Sequence, residues 1–298
     1  MNLENYRLLI QKTAHNYTFK KINDELNPNA IKKNKENICF LRHDIDFSPK
    51  NALEIARLEA EESVVSTFTV LLTSQYYSPF NKNTKDLLKK IKNYGHEIGL
   101  HFDPSFYNIK AEKDLDHYIV KEAKILCDLL DLKVKMFSFH QTNNFSMSCR
   151  SMTYGNLINA YSNFFHDDVE YTSDSNGYWR FRTWEELLSE EHKIIQILTH
   201  PVWWQSNNSL PPLETIIKCC LERYEDDISD YNKIFNGQNV RFNKSALTKY
   251  LSKENKINDS KILNVYSKYP LLIKFLLTKY KSKENIDLDE IANRFLTR

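Results

Sequence analysis

The chain has 298 residues, 41% of them hydrophobic and 27% charged, with a formal net charge of +2; this is the composition of a soluble globular protein that can bury a full core. A charge so near zero gives no electrostatic argument for nucleic acid, where a clustered basic face is expected, and no run reaches the ~18 apolar residues of a membrane span. The five cysteines, Cys39, Cys127, Cys149, Cys219 and Cys220, are odd in number and lack CxxC spacing, which argues against a disulfide framework or zinc knuckle and for a reducing cytoplasm.

Residues 1–36 are polar, rich in Lys and Asn, and hold no signal-peptide-like apolar stretch. Leu3, Tyr6, Leu9 and Ile10 have helical spacing and predict a short leading helix. The apolar run 38–41 reads as a buried strand ending in Arg42-His43-Asp44-Ile45-Asp46. Ser48 and Pro49 suit the N-cap and first turn of a helix, with Ala52, Ile55, Ala56 and Ala60 on one face. The alternation then repeats. Strands are expected over 64–72, 97–102 and 135–139, and helices over 84–93 and 114–130. Glu170-Tyr171-Thr172 leads into Ser173-Asp174, and 194–199 is another apolar run. Strands alternating with helices predict a parallel sheet with helices outside. From Ser206 onward only helical stripes appear, including Ile216, Ile217, Cys220 and Leu221 and the apolar run 271–277. The expected organisation is a helical lead-in (1–36), a barrel-like α/β domain (37–205) and a helical C-terminal extension (206–298). Five glycines leave little room for a phosphate-cradling loop.

In parallel α/β folds the chemistry gathers at the C-terminal ends of strands. Asp44 and Asp46 follow the first strand, His101 and Asp103 end the next polar one, His140 ends 135–139, Asp174 follows Tyr171-Thr172, and His200 ends 194–199. Carboxylates and imidazoles at five strand ends point to a metal-assisted hydrolytic site. A divalent cation needs such ligands and acidifies a water; a carboxylate can act as base and an imidazolium as acid. Plainer readings stand beside this one. Asp44 and Asp46 also suit caps of the helix at Pro49, and His96 suits a hydrogen-bonded core position. Asp174 suits an Asx-turn as well as orienting His200. Trp203 and Trp204 suit either a sugar ring or the core. Arg42, Asp174, Trp203 and Trp204 are the candidate substrate contacts.

This order of motifs resembles the polysaccharide deacetylase family (the NodB-homology fold, carbohydrate esterase family 4) over about residues 38–205. Arg42-His43-Asp44-Ile45-Asp46 looks like its first motif and Gly95-His96-Glu97-Ile98-Gly99-Leu100-His101 like the segment of its second. Phe137-Ser138-Phe139-His140, Ser173-Asp174-Ser175 and Leu198-Thr199-His200 fall where the third, fourth and fifth lie. The resemblance implies an irregular (β/α) barrel with a C-terminal helical extension. It implies Asp44 as general base, Asp46 and His101 as metal ligands, and His200 as general acid. The family's second metal histidine falls at Ser105 here; His140 is the preferred replacement and Asp103 its competitor. A divalent metal, best Zn2+, and an N-acylated amino sugar, free, carrier-linked or polymeric, follow from the same resemblance. The variant form is similar to a branch associated with capsule and lipopolysaccharide gene clusters, which implies a cytoplasmic step in cell-surface polysaccharide biosynthesis. The rivals are hydrolysis of a small amide or ureide, and a non-catalytic carbohydrate-binding or scaffold protein, which the missing second histidine favours.

Overall fold

The computed structural model describes residues 1–23, 25–205 and 210–234. Met1–Cys219 forms one compact unit and Cys220–Arg298 a second. The apolar run expected to be helical at 271–277 lies outside the described residues.

Helix α1 (Leu3–Asn16) is capped by Asn2, whose side chain accepts from the Asn5 amide, and it buries Tyr6, Leu9 and Ile10. Strand β1 (Thr18–Lys20) and helix α2 (Pro28–Lys33) follow, both unanticipated. Strand β2 (Ile38–Ile45) is buried along its whole length. It runs four residues past the apolar stretch, because Arg42–Ile45 pair with the next strand, and Arg42 and His43 also with the last. Helix α3 (Pro49–Glu61) starts at the expected Ser48 cap. Then come β3 (Thr67–Leu71), α4 (Lys82–Asn93), β4 (Glu97–Phe102), α5 (Leu115–Leu130) and β5 (Met136–Phe139). Gly95 follows α4 at φ +97°, a left-handed position where glycine ends a helix without strain. The chain continues through α6 (Asn144–Ser148), β6 (Thr153–Tyr154), β7 (Leu157–Asn159), α7 (Asn163–Asp167), β8 (Glu170–Ser173), α8 (Trp184–Ser189), β9 (Ile194–Thr199) and α9 (Pro212–Ile234).

Eight strands follow one path, β6-β7-β5-β4-β3-β2-β9-β8, and β1 pairs beside β2. All pairings are parallel except β6 with β7. That pair is a tight hairpin whose Gly155 and Asn156 both have positive φ, as a type I′ turn requires. The sheet curls into a half-barrel. Flat, β2 and β5 would stand about 14 Å apart, three strand spacings, yet Ser138 on β5 donates to Asp44 on β2 at 3.2 Å. The strand runs of the sequence therefore give a mixed α/β fold with an irregular, open barrel. Among the described residues no helix is long and apolar enough to cross a membrane, and Cys39, Cys127, Cys149 and Cys220 are in no disulfide.

Side-chain alternation along β2 sorts its residues onto two faces. His43 points to α3, where it meets Glu59. Ile38, Phe40, Arg42 and Asp44 share the concave face. The lower part of the hollow is filled by a cluster that includes Ile38, Phe40, Met136, Ile158, Phe164, Phe165 and Ile194. Gly99 makes room for this plug, since a Cβ there would lie 2.1 Å from the Met136 sulfur. Above the plug the lining turns polar, with Arg42, Asp44, Thr69, His101 and Ser138 all buried. The C-terminal strand ends thus rest on a packed apolar floor, which restricts their side chains to few rotamers.

Candidate active site

Asp44 is held at the centre of the hollow. Its Oδ1 accepts from Thr69 Oγ1 at 2.6 Å and Ser138 Oγ at 3.2 Å. Arg42, two residues earlier on the same strand face, lies beside both oxygens, with Nε 3.2 Å from Oδ1 and Nη2 3.3 Å from Oδ2. Burial alone would raise the Asp44 pKa; Arg42 first, then His101, His200 and the Thr69 hydroxyl, outweigh it and hold the carboxyl well below the usual range. The Arg42 guanidinium lies over the Tyr161 ring, 5.1 Å from its centroid, and donates to the Tyr161 hydroxyl at 3.2 Å.

Asp46, just past β2, reaches the open side of the same hollow. Its Oδ1 lies 3.1 Å from His101 Nε2 and its Oδ2 lies 3.8 Å from His200 Nε2. Burial pushes its carboxyl up, and His101, His200 and His140 pull it down further, so the net shift is downward. The His101 and His140 rings sit edge to face, 5.1 Å apart. His140 Nδ1 lies 3.5 Å from Asp103 Oδ2. Burial lowers the His140 pKa, but Asp103 and Asp46 raise it more. Asp103 turns its other oxygen to the Ser105 amide at 2.8 Å, an Asx-turn contact.

His200 follows β9 and is held by Asp174, which follows β8. Its Nδ1 lies 2.7 Å from Asp174 Oδ1, and its backbone amide donates to the same oxygen at 2.9 Å. The second oxygen of Asp174 accepts from the Trp204 indole at 2.8 Å. Burial lowers the His200 pKa, yet Asp174 above all, with Asp46 and Asp44, lifts it to about 9. Nδ1 is therefore the nitrogen turned to Asp174, and Nε2 faces the hollow.

Of the four residues read from the sequence as substrate contacts, three are closed to solvent. Arg42 and Asp174 are fully buried and Trp204 is 1% exposed; Asp174 and Trp204 hydrogen-bond each other, and Arg42 faces Asp44 and Tyr161. Trp203 alone of the four is partly exposed, with its ring 5.9 Å from Phe47. His43 and His96, which lie inside the motif segments, belong to a separate buried network. There Glu59 accepts from Tyr6, from Ser66 at 2.6 Å, and pairs with His43 at 2.8 Å. The sequence reading missed Thr69, Ser138 and Tyr161. Ser138 carried a usable signal, a lone hydroxyl between Phe137 and Phe139 on a buried strand.

Asp46, His101 and His140 each offer a ligand atom, and these atoms lie within 4.8 Å of one another; no other such group occurs among the described residues. Asp46 Oδ1 and His140 Nδ1 are buried and meet only a charged neighbour each, His101 Nε2 at 3.1 Å and Asp103 Oδ2 at 3.5 Å, without a hydrogen bond; such under-satisfied buried atoms leave room for an ion or water between them. Two imidazoles and a carboxylate are a donor set that fits a divalent cation.

No family model matches this sequence, and neither does any curated protein. Among solved structures the chain is similar to a family 4 carbohydrate esterase from Bacillus anthracis, at 18% identity and a TM-score of 0.38, over 74% of this chain and 86% of that one. It is similar to the Streptococcus pyogenes deacetylase PplD in complex with acetate, at 12% identity and a TM-score of 0.41, over 74% and 87%. It is also similar to a Streptococcus mutans CE4 esterase, at 14% identity and a TM-score of 0.44, over 68% and 88%. At these identities and scores the functional reading rests on the residues of this chain.

Proposed function

We propose that the protein is a divalent-metal hydrolase that removes an N-acyl group, acetyl in the first instance, from an amino sugar. The observation that carries this reading is one arrangement. A ligand trio of Asp46, His101 and His140 has the anionic Asp44 3.8 Å from His101 and, 3.8 Å from Asp46, His200, gripped by Asp174. Zn2+ suits two imidazoles and a carboxylate. Asp103, the competing third ligand, is engaged with His140 and the Ser105 amide, which favours His140.

Asp46, His101 and His140 would hold the divalent cation, which when bound would acidify a water and polarise the acyl carbonyl. Asp44 is the base. Thr69 and Ser138 occupy its Oδ1, Arg42 keeps it ionised, and its Oδ2 faces His101 at 3.8 Å. It takes the proton of the attacking water as the new C–O bond forms at the acyl carbon. The C–N bond breaks, and His200 delivers a proton from Nε2 to the departing amine. The products are a short carboxylic acid and a free amino sugar. The setting in cytoplasmic assembly of a cell-surface polysaccharide, on a free or carrier-linked sugar, rests on the motif resemblance.

The test is acetate release from a panel of N-acetyl sugars and sugar nucleotides with added Zn2+ or Co2+. The wild type releases acetate from at least one member, and Asp44→Asn loses on the order of 100-fold or more in rate. Ser105, where a second metal histidine was expected, favours a non-catalytic binding protein. No release from any member, with Asp44→Asn binding the same sugars as wild type, would establish that reading instead.

A further inference from the structure

We propose that Ser138 is a positioning residue that fixes which nitrogen of His101 faces the cation; this rests on the metal-centre reading above. Ser138 and His101 are paired in register on adjacent parallel strands, so their side chains rise from the same face side by side. Both are closed to solvent. The His101 Nδ1 sits between two oxygens of Ser138, the hydroxyl at 2.8 Å and the backbone carbonyl at 3.3 Å. A carbonyl oxygen can only accept, so the nitrogen facing both is the protonated one. Nε2 then carries the lone pair, and it is Nε2 that lies 3.1 Å from Asp46.

The hydroxyl does a second thing. Having accepted from His101, it has one hydrogen to give, and its acceptors are Asp44 Oδ1 at 3.2 Å and Thr69 Oγ1 at 3.1 Å. Thr69 in turn donates to Asp44 Oδ1 at 2.6 Å. By either route every hydrogen points from the imidazole towards the carboxylate. A single polarised chain, His101 to Ser138 to Asp44, therefore sets the ligand's tautomer and anchors the base on its far oxygen. Partners of this kind behind a ligating histidine raise its basicity and lock its ring.

The test is Zn2+ affinity, measured by competition with a chromophoric chelator, for wild type, His101→Ala, Ser138→Ala and Ser138→Thr, with each variant's fold checked by circular dichroism. Ser138→Ala keeps the backbone carbonyl but loses the hydroxyl, and is expected to bind Zn2+ about tenfold more weakly. Ser138→Thr restores the hydroxyl and is expected within about threefold of wild type. Wild-type affinity in Ser138→Ala, or equal losses in both Ser138 variants, would overturn the positioning role while leaving the metal centre intact. Equal affinity in wild type and His101→Ala would instead remove the metal centre on which the inference stands.

Discussion

His200 and Asp174 meet twice: the imidazole Nδ1 and the backbone amide of His200 both contact Asp174 Oδ1, at 2.7 and 2.9 Å. The carboxylate is sealed from water and its other oxygen is taken by the Trp204 indole. A histidine held this way has one orientation, one tautomer and a raised pKa. Asp174→Asn keeps the shape and removes the charge. The proposed acid must carry its proton, so activity is present below the His200 pKa and lost above it. With Asp174 the pKa stands at about 9, against an ordinary value of 6.5. The alkaline limb of kcat/KM is expected to move to lower pH by about one to two units in Asp174→Asn, with a rate loss on the order of 100-fold. A pH-rate profile of the two proteins checks this; an unmoved alkaline limb contradicts it.

Trp204 tests the same contact from behind. Trp204→Phe keeps most of the packing and leaves one Asp174 oxygen buried without its donor. Stability is expected to fall by about 1–3 kcal/mol, read as a shift in the urea midpoint, while bound metal is unchanged.

The Glu59 network predicts where motif histidines do not matter for metal. Glu59, Tyr6, His43, Ser66 and His96 are all fully buried. Burial raises the Glu59 pKa, and His43, His96 and Ser66 lower it further, so the group stays charged. Removing His43 takes away one of the partners of that charge and leaves Tyr6, Ser66 and His96. His43→Ala is expected to cost about 1.5–3 kcal/mol of stability for the lost hydrogen bond to a charged group, and to leave metal stoichiometry at the wild-type value in the fraction that folds. Loss of metal from a folded His43→Ala protein would place His43 in the site and contradict the separation of the two sheet faces.

Glu122 gives the stability a pH dependence of definite sign. It is buried on α5, with one oxygen accepting from the Tyr107 hydroxyl at 2.7 Å and the other unpaired. Burial chiefly, helped by Asp103, raises its pKa from 4.5 to about 7. A raised folded-state pKa means a contribution that is complete below the unfolded value and lost as pH rises through the folded one. Between pH about 4.5 and 7 the protein is expected to lose about 3 kcal/mol from this group. Glu122→Gln should flatten that fall and be the more stable protein at pH 8. Urea unfolding of both proteins at pH 5 and pH 8 decides it.

Much of the architecture was legible because periodicity reports burial directly. Tyr6, Leu9 and Ile10 sit inward on α1, and Ser48 caps α3 as its position before Pro49 demands. The misses have physical causes. The apolar run of β2 stops at Leu41, and Arg42, His43 and Asp44 carry no apolar signal; their buried polar groups are met by Tyr161, Glu59 and Thr69 from other elements. The β6–β7 hairpin carried a Gly155-Asn156 turn signal, but strands of two and three residues give no periodicity to read. Asp44, Asp46, His101, His140 and His200 were picked out by chemistry at strand ends, and the curl of the sheet brings them to one hollow. The preference for His140 over Asp103 rests in the sequence on imidazole replacing imidazole, since both residues follow neighbouring strands. Likewise Trp203 and Trp204 are adjacent in the chain, and only the direction of each ring separates a buried positioning residue from a partly exposed one.

The central claim is that Asp46, His101 and His140 together hold one divalent cation. The direct measurement is metal content by plasma mass spectrometry after dialysis against limiting Zn2+, for wild type, Asp46→Ala, His101→Ala and His140→Ala. The arrangement predicts close to one ion per chain in wild type and its loss from each variant, because a site of three protein ligands has none to spare. Full metal content in all three variants, or none in the wild type at saturating Zn2+, would contradict it.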